Sequence, residues 1–280
     1  MSLIRTVVCL LLLSGGTGWS QTPAPSPVAG LGDLLVAPTR LVFEGRKRSA
    51  ELNLSNIGPA RATYRISLVR MEMDEAGGFQ ERPFDAQAPE SLRALFRFSP
   101  REVTLESRES QTVRIQVRKP AELPAGEYRL HMVFRAVPAT PEGPGDAPSA
   151  SAKGLSIRLT PVYGIAIPLI IRHGATSARM AITEVSLDAA RRILHFRLNR
   201  EGNQSAYGDV KAVLLPPSGR EQLLSEAAGL AVYVPNTHRQ VTLALAAGHP
   251  LTPGSRIRVT YAQPPMDGGN LLAEATLTIP

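Results

Sequence analysis

The chain has 280 residues, with 31 lysines and arginines against 24 aspartates and glutamates, which gives a formal net charge of +7. Its single cysteine is Cys9, so structural disulfides, zinc–thiolate sites, iron–sulfur clusters and cysteine nucleophiles are excluded from the rest of the chain. Aromatic residues make up 5% of the sequence, and the arginines are spread at strand-like spacing rather than clustered. Nucleic acid is therefore not an expected partner, because its binding needs basic clusters and aromatic stacking platforms.

The first twenty residues have the pattern of a secretory signal peptide. Arg5 is followed by a short apolar run, 6–13, and then by small residues up to Ser20. The run is well short of the roughly 20 residues that a membrane-spanning helix needs. We expect residues 1–20 to be a cleaved signal and residues 21–30 a Pro/Ala-rich leader. We then expect the mature protein to be exported, without stable membrane insertion.

Almost every later segment alternates apolar and polar residues with a period of two, which is typical of half-buried antiparallel strands. The clearest segments are 50–55, 64–68, 113–117, 128–136, 194–198, 241–245 and 257–261. Turn signals such as Arg200-Glu201-Gly202-Asn203 and Asp267-Gly268-Gly269-Asn270 separate them. Many short strands with no long amphipathic helix predict an all-β protein of two β-sandwich domains.

The pattern places a domain boundary near residues 172–175. An almost unbroken apolar run, 162–171, precedes it and predicts a strand buried on both faces. The first domain is expected to span 31–173 and the second 174–280. A proline-rich segment, 138–154, then lies inside the first domain as a flexible loop between two strands.

The strand that leaves this loop has a one-sided apolar row. Leu155, Ile157 and Leu159 share one face, because side chains alternate along a strand. Such a strand can complete its own sheet or be lent to the sheet of another protein. The pattern is also compatible with self-association of the free protein through this row.

Four segments in chain order resemble the periplasmic pilus chaperones of the chaperone–usher pathway (PapD-like), as a divergent branch. The segments are 38–43, 50–56, 110–115 and 126–138. The resemblance implies two immunoglobulin-like domains set in an L. It also implies capture of pilus subunits by donor-strand complementation and their delivery to an outer-membrane usher. On this interpretation Leu155, Ile157 and Leu159 are the donated side chains.

The resemblance also implies roles for four charged residues. Arg40 matches the arginine that binds the subunit's terminal carboxylate, although the pattern alone also fits a solvated arginine on an edge strand. Glu127, Arg172 and Asp267 match an interdomain charge network, against the alternative of three unrelated surface charges. The lysine that usually assists the arginine is absent from residues 154–172, and Ala166 stands at its aligned position.

No catalytic or metal-binding pattern is present in the sequence. The five histidines have no close partner at metal-ligand spacing, and His131 and His195 are interpreted as surface residues on the polar faces of strands. We therefore expect no enzyme activity, no metal and no cofactor. The alternatives are a structural or adhesive envelope β-sandwich protein and a peptide- or carbohydrate-binding module. A peptide- or carbohydrate-binding module is expected to have exposed aromatic residues near its loops, but the single tryptophan, Trp19, lies in the predicted signal.

Overall fold

The computed structural model describes residues 33–84, 91–138 and 163–280. In this part of the chain ten strands precede residue 174: β1 Leu34–Ala37, β2 Leu41–Phe43, β3 Ser49–Asn56, β4 Ala62–Met73, β5 Phe79–Arg82, β6 Phe96–Ser99, β7 Glu102–Leu105, β8 Ser110–Val117, β9 Gly126–Val137 and β10 Gly164–His173. Seven follow it: β11 Ala178–Asp188, β12 Ile193–Gly202, β13 Ala206–Leu215, β14 Gln222–Val232, β15 His238–Ala244, β16 Arg256–Ala262 and β17 Leu271–Thr278. A short helix, α1 Ser91–Ala94, and a 3₁₀ turn, Pro265–Asp267, complete the described elements.

Strands β1–β10 form the first sandwich. One of its sheets has the order β1-β3-β8-β6, and the other has the order β2-β10-β9-β4-β5, with β7 also paired to β4. The inward residues of both sheets form one core whose largest fully buried side chains include Phe43, Tyr64, Leu105, Ile115 and Leu130. The apolar face of an alternating strand needs a second layer to cover it, and here each sheet covers the other.

Strands β11–β17 form the second sandwich. Its sheets have the orders β11-β12-β15 and β14-β13-β16-β17. Leu198, Val210, Val259 and Tyr261 are among its fully buried residues. The Tyr261 hydroxyl donates a hydrogen bond of 2.9 Å to the Leu230 carbonyl, which satisfies the polar end of the ring. The prediction of an all-β, two-sandwich protein is confirmed.

A third apolar cluster joins the two sandwiches. Met73 and Ile170 of the first sandwich pack with Ala231 and Tyr233 of the second, and all four are buried. Leu169 and Ile171, the neighbours of Ile170 on β10, point into the core of the first sandwich instead. β10 is therefore buried on both faces around Leu169–Ile171, where the second sandwich covers Ile170. Gly164 and Ala166 are exposed, so the prediction for 162–171 holds only at the end of the run.

Among the described residues, no helix is long and apolar enough to cross a membrane. Within the same ranges, no group of three or more His, Cys, Asp or Glu side chains is placed to hold a metal ion.

Candidate functional site

Half of strand β10 has an open edge in the described structure. Its parallel neighbour β2 pairs only with Leu169–Ile171, whereas β9 pairs with the whole strand from Gly164 to His173. Over 33–84, 91–138 and 163–280, no strand therefore pairs with the outer edge of 164–168. An unpaired edge with free backbone groups is a template for another strand.

The hydrogen-bond phase identifies the groups that this edge presents. The Ala136 amide donates to the Tyr163 carbonyl at 3.2 Å, so residues 163, 165 and 167 direct their backbone groups toward β9. Antiparallel pairs alternate, so Gly164, Ala166 and Pro168 direct theirs outward. Pro168 has no N–H group, so the edge loses its last donor there.

Arg40 lies at the end of this open edge. It comes one residue before the parallel pair Leu41–Leu169, so the register brings it beside Pro168. The flat face of its guanidinium stacks on the Tyr207 ring, with 4.1 Å from Cζ to the ring centroid. Its Nη2 donates to the Asp267 carboxylate. The Arg40 side chain is only 17% exposed, so it is not a freely solvated arginine.

The predicted interdomain network is joined only in part. Glu127 and Arg172 are opposite each other in the β9–β10 register, and Arg172 Nε donates to Glu127 at 3.3 Å. Asp267 does not meet these two residues, because it lies against Arg40 instead. The prediction that all three residues form one network is therefore wrong for Asp267.

Ser205 completes the contact around Glu127, and no sequence motif pointed to this residue. The Glu127 carboxylate is 1% exposed and accepts bonds from the Ser205 backbone N–H, at 3.0 Å, and from the Ser205 hydroxyl. The same hydroxyl accepts a 3.0 Å bond from the Val234 N–H. A buried carboxylate of the first sandwich is therefore satisfied largely by donors of the second.

A second stacked pair lies in the same interface. The Arg129 guanidinium is 3.9 Å from the centroid of the Tyr233 ring, and its Nη2 donates to the carbonyls of Met71 and Val234, both at 3.4 Å. Burial lowers the pKa of Arg129 and raises that of Tyr233. Arginine stacks well on aromatic faces because its guanidinium is planar and weakly hydrated.

His131 is buried, which corrects the prediction that it is a surface residue. It is 3% exposed and lies 5.4 Å from the Phe79 ring and 6.3 Å from the Tyr233 ring, centroid to centroid. Burial, with a smaller contribution from the Arg129 charge, lowers its pKa to about 3. The sequence indicates that His131 is on the outward face of β9, but at this position Phe79 of β5 and Tyr233 of the second sandwich cover that face. His195 is exposed, as predicted.

The turn between β4 and β5 also contacts the second sandwich. The Glu75 carbonyl accepts a 2.7 Å bond from the Gln240 N–H, and the Met73 carbonyl accepts one of 2.7 Å from the Asn236 side chain. The Glu75 carboxylate is 3.2 Å from His238 Nε2. Residues 73–78, which we call the β4–β5 clasp, thus add a further link between the sandwiches.

The structure describes the position of the missing lysine but not the three predicted donor residues. Leu155, Ile157 and Leu159 lie outside the described residues, as do the predicted signal, the leader and most of the loop at 138–154. Ala166 is exposed on the open edge and brings no charge to it. Lys119 donates to the carbonyls of Phe43, at 3.3 Å, and Arg172, at 3.0 Å, so it caps the far ends of β2 and β10.

One open cleft lies away from this region, on the first sandwich. Its volume is about 530 Å³, and its lining consists of Ile66, Ser67, Leu68, Arg93, Ala94, Phe96 and Arg101. This lining holds no carboxylate, histidine or other group for acid–base chemistry. The open edge with Arg40 is therefore the better candidate site.

Comparison with known proteins finds likeness at the level of solved structures. No protein-family model and no curated protein matches the sequence. The Pseudomonas aeruginosa CupB2 chaperone is 16% identical, with 88% of this chain and 100% of that chain covered and a TM-score of 0.46. A chain of the CsuC–CsuE chaperone–tip adhesion subunit complex from archaic chaperone-usher pili of Acinetobacter baumannii is 14% identical, with coverages of 87% and 96% and a TM-score of 0.43. A chain of the Salmonella enterica SafA pilin–SafB chaperone complex is 17% identical, with coverages of 88% and 96% and a TM-score of 0.40. The names of all three structures include a chaperone.

Proposed function

We propose that this protein is a periplasmic chaperone that captures pilus subunits by lending them a strand and passes them to an outer-membrane usher. The observation that carries the proposal is the open edge of β10, which ends beside the guanidinium of Arg40. A strand that runs parallel to β10 along this edge would end with its C-terminal carboxylate next to that cation. An arginine is suited to this task because it forms two parallel hydrogen bonds to one carboxylate.

The apolar row just upstream supports the same function. Leu155, Ile157 and Leu159 precede the open edge by a few residues and continue the period-two pattern. An unfinished sandwich exposes an apolar groove between two strand edges, which promotes aggregation. Each aliphatic side chain buried in such a groove contributes about 1.5–3 kcal/mol, while the backbone of the lent strand pairs with the edges.

The test is co-expression in the periplasm with a candidate subunit, namely a small secreted β-rich protein if one is encoded next to this gene. We expect a soluble one-to-one complex with such a subunit. The double substitution Ile157→Ser/Leu159→Ser should abolish its recovery, because the apolar row is lost. A matched control, Ser156→Ala/Thr160→Ala, changes the opposite row of the same segment and should leave capture intact.

Arg40→Ala provides the second arm of this test. Loss of charge-assisted hydrogen bonds to a carboxylate costs about 1.5–3 kcal/mol, so capture should weaken by about one to two orders of magnitude. Equal recovery of the subunit with and without this protein would contradict the proposed function. Unchanged capture by the Ile157→Ser/Leu159→Ser variant would place the donated strand elsewhere.

A further inference from the structure

We propose that Asp267 is a built-in competitor for the Arg40 site: its carboxylate occupies the guanidinium in the free protein and must leave when a chain end binds. The inference rests on the proposed function and concerns the regulation of that same site. It begins from one contact. Asp267 belongs to the second sandwich and Arg40 to the first, yet Arg40 Nη2 donates to the Asp267 carboxylate across 227 residues of sequence.

The surroundings of Arg40 leave few directions for a ligand. One face of the guanidinium is covered by the Tyr207 ring at 4.1 Å. At the edge of the guanidinium, the carboxylate in contact within the described ranges is that of Asp267. A chain-terminal carboxylate presents the same chemical group to the same donors. A chain-terminal carboxylate at the same edge would compete with Asp267 for Nη2, and the two negative charges would repel each other.

The Asp267 side chain can move away from Arg40 without disturbing the turn that carries it. The turn is closed by backbone bonds, from the Asp267 N–H to the Pro264 carbonyl at 2.8 Å and from the Gln263 N–H to the Asn270 carbonyl at 2.9 Å. Its carboxylate has no bonding partner besides Arg40 within the described part of the chain. The side chain is 39% exposed, so a change of rotamer moves it into water.

Capture is therefore coupled to a contact between the two sandwiches. A binding site that is partly occupied by its own protein binds with an apparent affinity reduced by the vacant fraction. Removing the Asp267 charge should raise the affinity for a free carboxylate and leave other contacts unchanged. A partly exposed ion pair is weak, so the expected gain is about two- to tenfold.

The experiment uses two fluorescent peptides that differ at one group. Both are N-acetylated nonapeptides of alternating valine and threonine with one central lysine, and one ends in a free carboxylate while the other ends in an amide. The Asp267→Asn variant of the full chain should bind the carboxylate peptide about two- to tenfold more tightly than the unmodified protein. Its affinity for the amide peptide should not change. Arg40→Ala should remove the preference for the carboxylate.

A matched control is Glu274→Gln, which removes one negative charge from the exposed face of β17, on the same hairpin as Asp267. It should leave both affinities unchanged. An equal gain of Asp267→Asn for both peptides would show a structural effect and overturn the proposal. No gain for the carboxylate peptide would overturn it as well.

A second measurement separates this inference from the proposed function. The Nε–Hε NMR signal of Arg40 is followed while N-acetylglycine, or N-acetylglycinamide as the uncharged control, is added to the full chain. In Asp267→Asn the signal should shift at a lower N-acetylglycine concentration than in the unmodified protein. If neither peptide binds, the proposed function fails, but this titration still decides on Asp267. Equal half-shift concentrations in the two proteins would refute the competition.

Discussion

His131 illustrates how one residue takes its chemistry from a surface that is distant in sequence. It lies on the outward face of β9, where alternation predicts a solvated side chain, yet Phe79 and Tyr233 enclose it. Its Nδ1 has no hydrogen-bond partner within the described ranges. A charged imidazolium is therefore disfavoured there, and the side chain is neutral at ordinary pH.

This environment predicts a loss of stability in acid. The pKa of His131 is about 3 in the folded protein and about 6.5 in an unfolded chain. Between these values the unfolded state binds more protons, so the free energy of unfolding falls as pH drops from about 6.5 toward 3, by up to about 1.4 kcal/mol per pH unit. His131→Phe keeps the ring packing and removes the titration, so it should flatten this dependence.

The measurement is urea unfolding of the full chain at pH 4 to 8. His195→Phe is the matched control, because His195 is exposed on β12 and its substitution should leave the slope unchanged. The carboxylates titrate alike in all three proteins and cancel in the comparison. A His131→Phe variant with the same pH slope as the unmodified protein would show that His131 is not buried as a neutral base.

Arg40 shows what a sequence can and cannot say about one residue. The flanking residues 38–43 indicated a carboxylate-binding role, and that role stays a prediction. The partner that the structure gives it, Asp267, comes from a turn of the other sandwich. No spacing rule links residues so far apart in the chain, so this contact had to come from the packing of the two sandwiches.

At the scale of elements, the β4–β5 clasp is a hairpin turn that also makes contacts between the two sandwiches. Asp74 stabilises the turn by accepting the Gly78 N–H at 2.7 Å. Glu75 then contacts Gln240 and His238 of the second sandwich. A hairpin turn that would otherwise be solvated therefore helps to fix the relative position of the sandwiches.

Gly77 gives a specific test of the clasp. Its φ is +91°, and a Cβ added there would lie 2.2 Å from Arg239 Nη2. Arg239 is anchored by a 3.1 Å bond from Nη1 to the Ala231 carbonyl, so it cannot swing away freely. Gly77→Ala should push the clasp off the second sandwich and destabilise the protein by about 2 kcal/mol, since backbone strain alone costs about 1–2 kcal/mol.

Gly45→Ala is the matched control for that prediction. Gly45 also has a positive φ, +51°, but nothing lies within 4 Å of a Cβ there. It carries the backbone strain without the interdomain clash. In hydrogen exchange, Gly77→Ala should lower the protection of the Gln240 amide, and Gly45→Ala should not. Equal protection of Gln240 in the two variants would remove the clasp from the interface.

The sequence pattern predicted where the strands lie better than it predicted which residues pack against them. Segments such as 194–198 and 257–261 are strands in the structure because burial of one face leaves only one stable register. The run at 162–171 was predicted to be buried on both faces, which is right only at its end, because Gly164 and Ala166 are exposed. Its cover by Ala231 and Tyr233 was not foreseen, because alternation reports which face is buried and not what buries it.

At the scale of the whole molecule, polar and apolar contacts together join the two sandwiches. The Glu127–Ser205 bonds, the Arg129–Tyr233 stack and the β4–β5 clasp lie around the apolar cluster of Met73 and Ile170. The open edge of β10 and the Arg40–Asp267 pair belong to the same junction, since Ile170 lies two residues beyond Pro168. We therefore expect a change in the junction to alter the candidate site.

This junction predicts that the two sandwiches unfold together. In scanning calorimetry we expect one transition, with a calorimetric enthalpy equal to the van't Hoff enthalpy. Glu127→Ala removes a carboxylate that is 1% exposed and leaves the Ser205 and Arg172 donors without it. Breaking one side of a buried pair costs about 3–5 kcal/mol. The loss falls on the junction and not on either core, so the variant should show two resolved transitions.

Glu102→Ala is the control for this prediction, because Glu102 pairs with Arg65 at 3.2 Å on the exposed surface of the first sandwich. Surface pairs contribute about 0–1 kcal/mol, so its single transition should shift little. If Glu127→Ala kept one transition at an unchanged temperature, the Glu127 contact would not hold the sandwiches together. Two transitions in the unmodified protein would mean that each sandwich is stable by itself, and the coupling between the junction and the Arg40 site would then have to be weak.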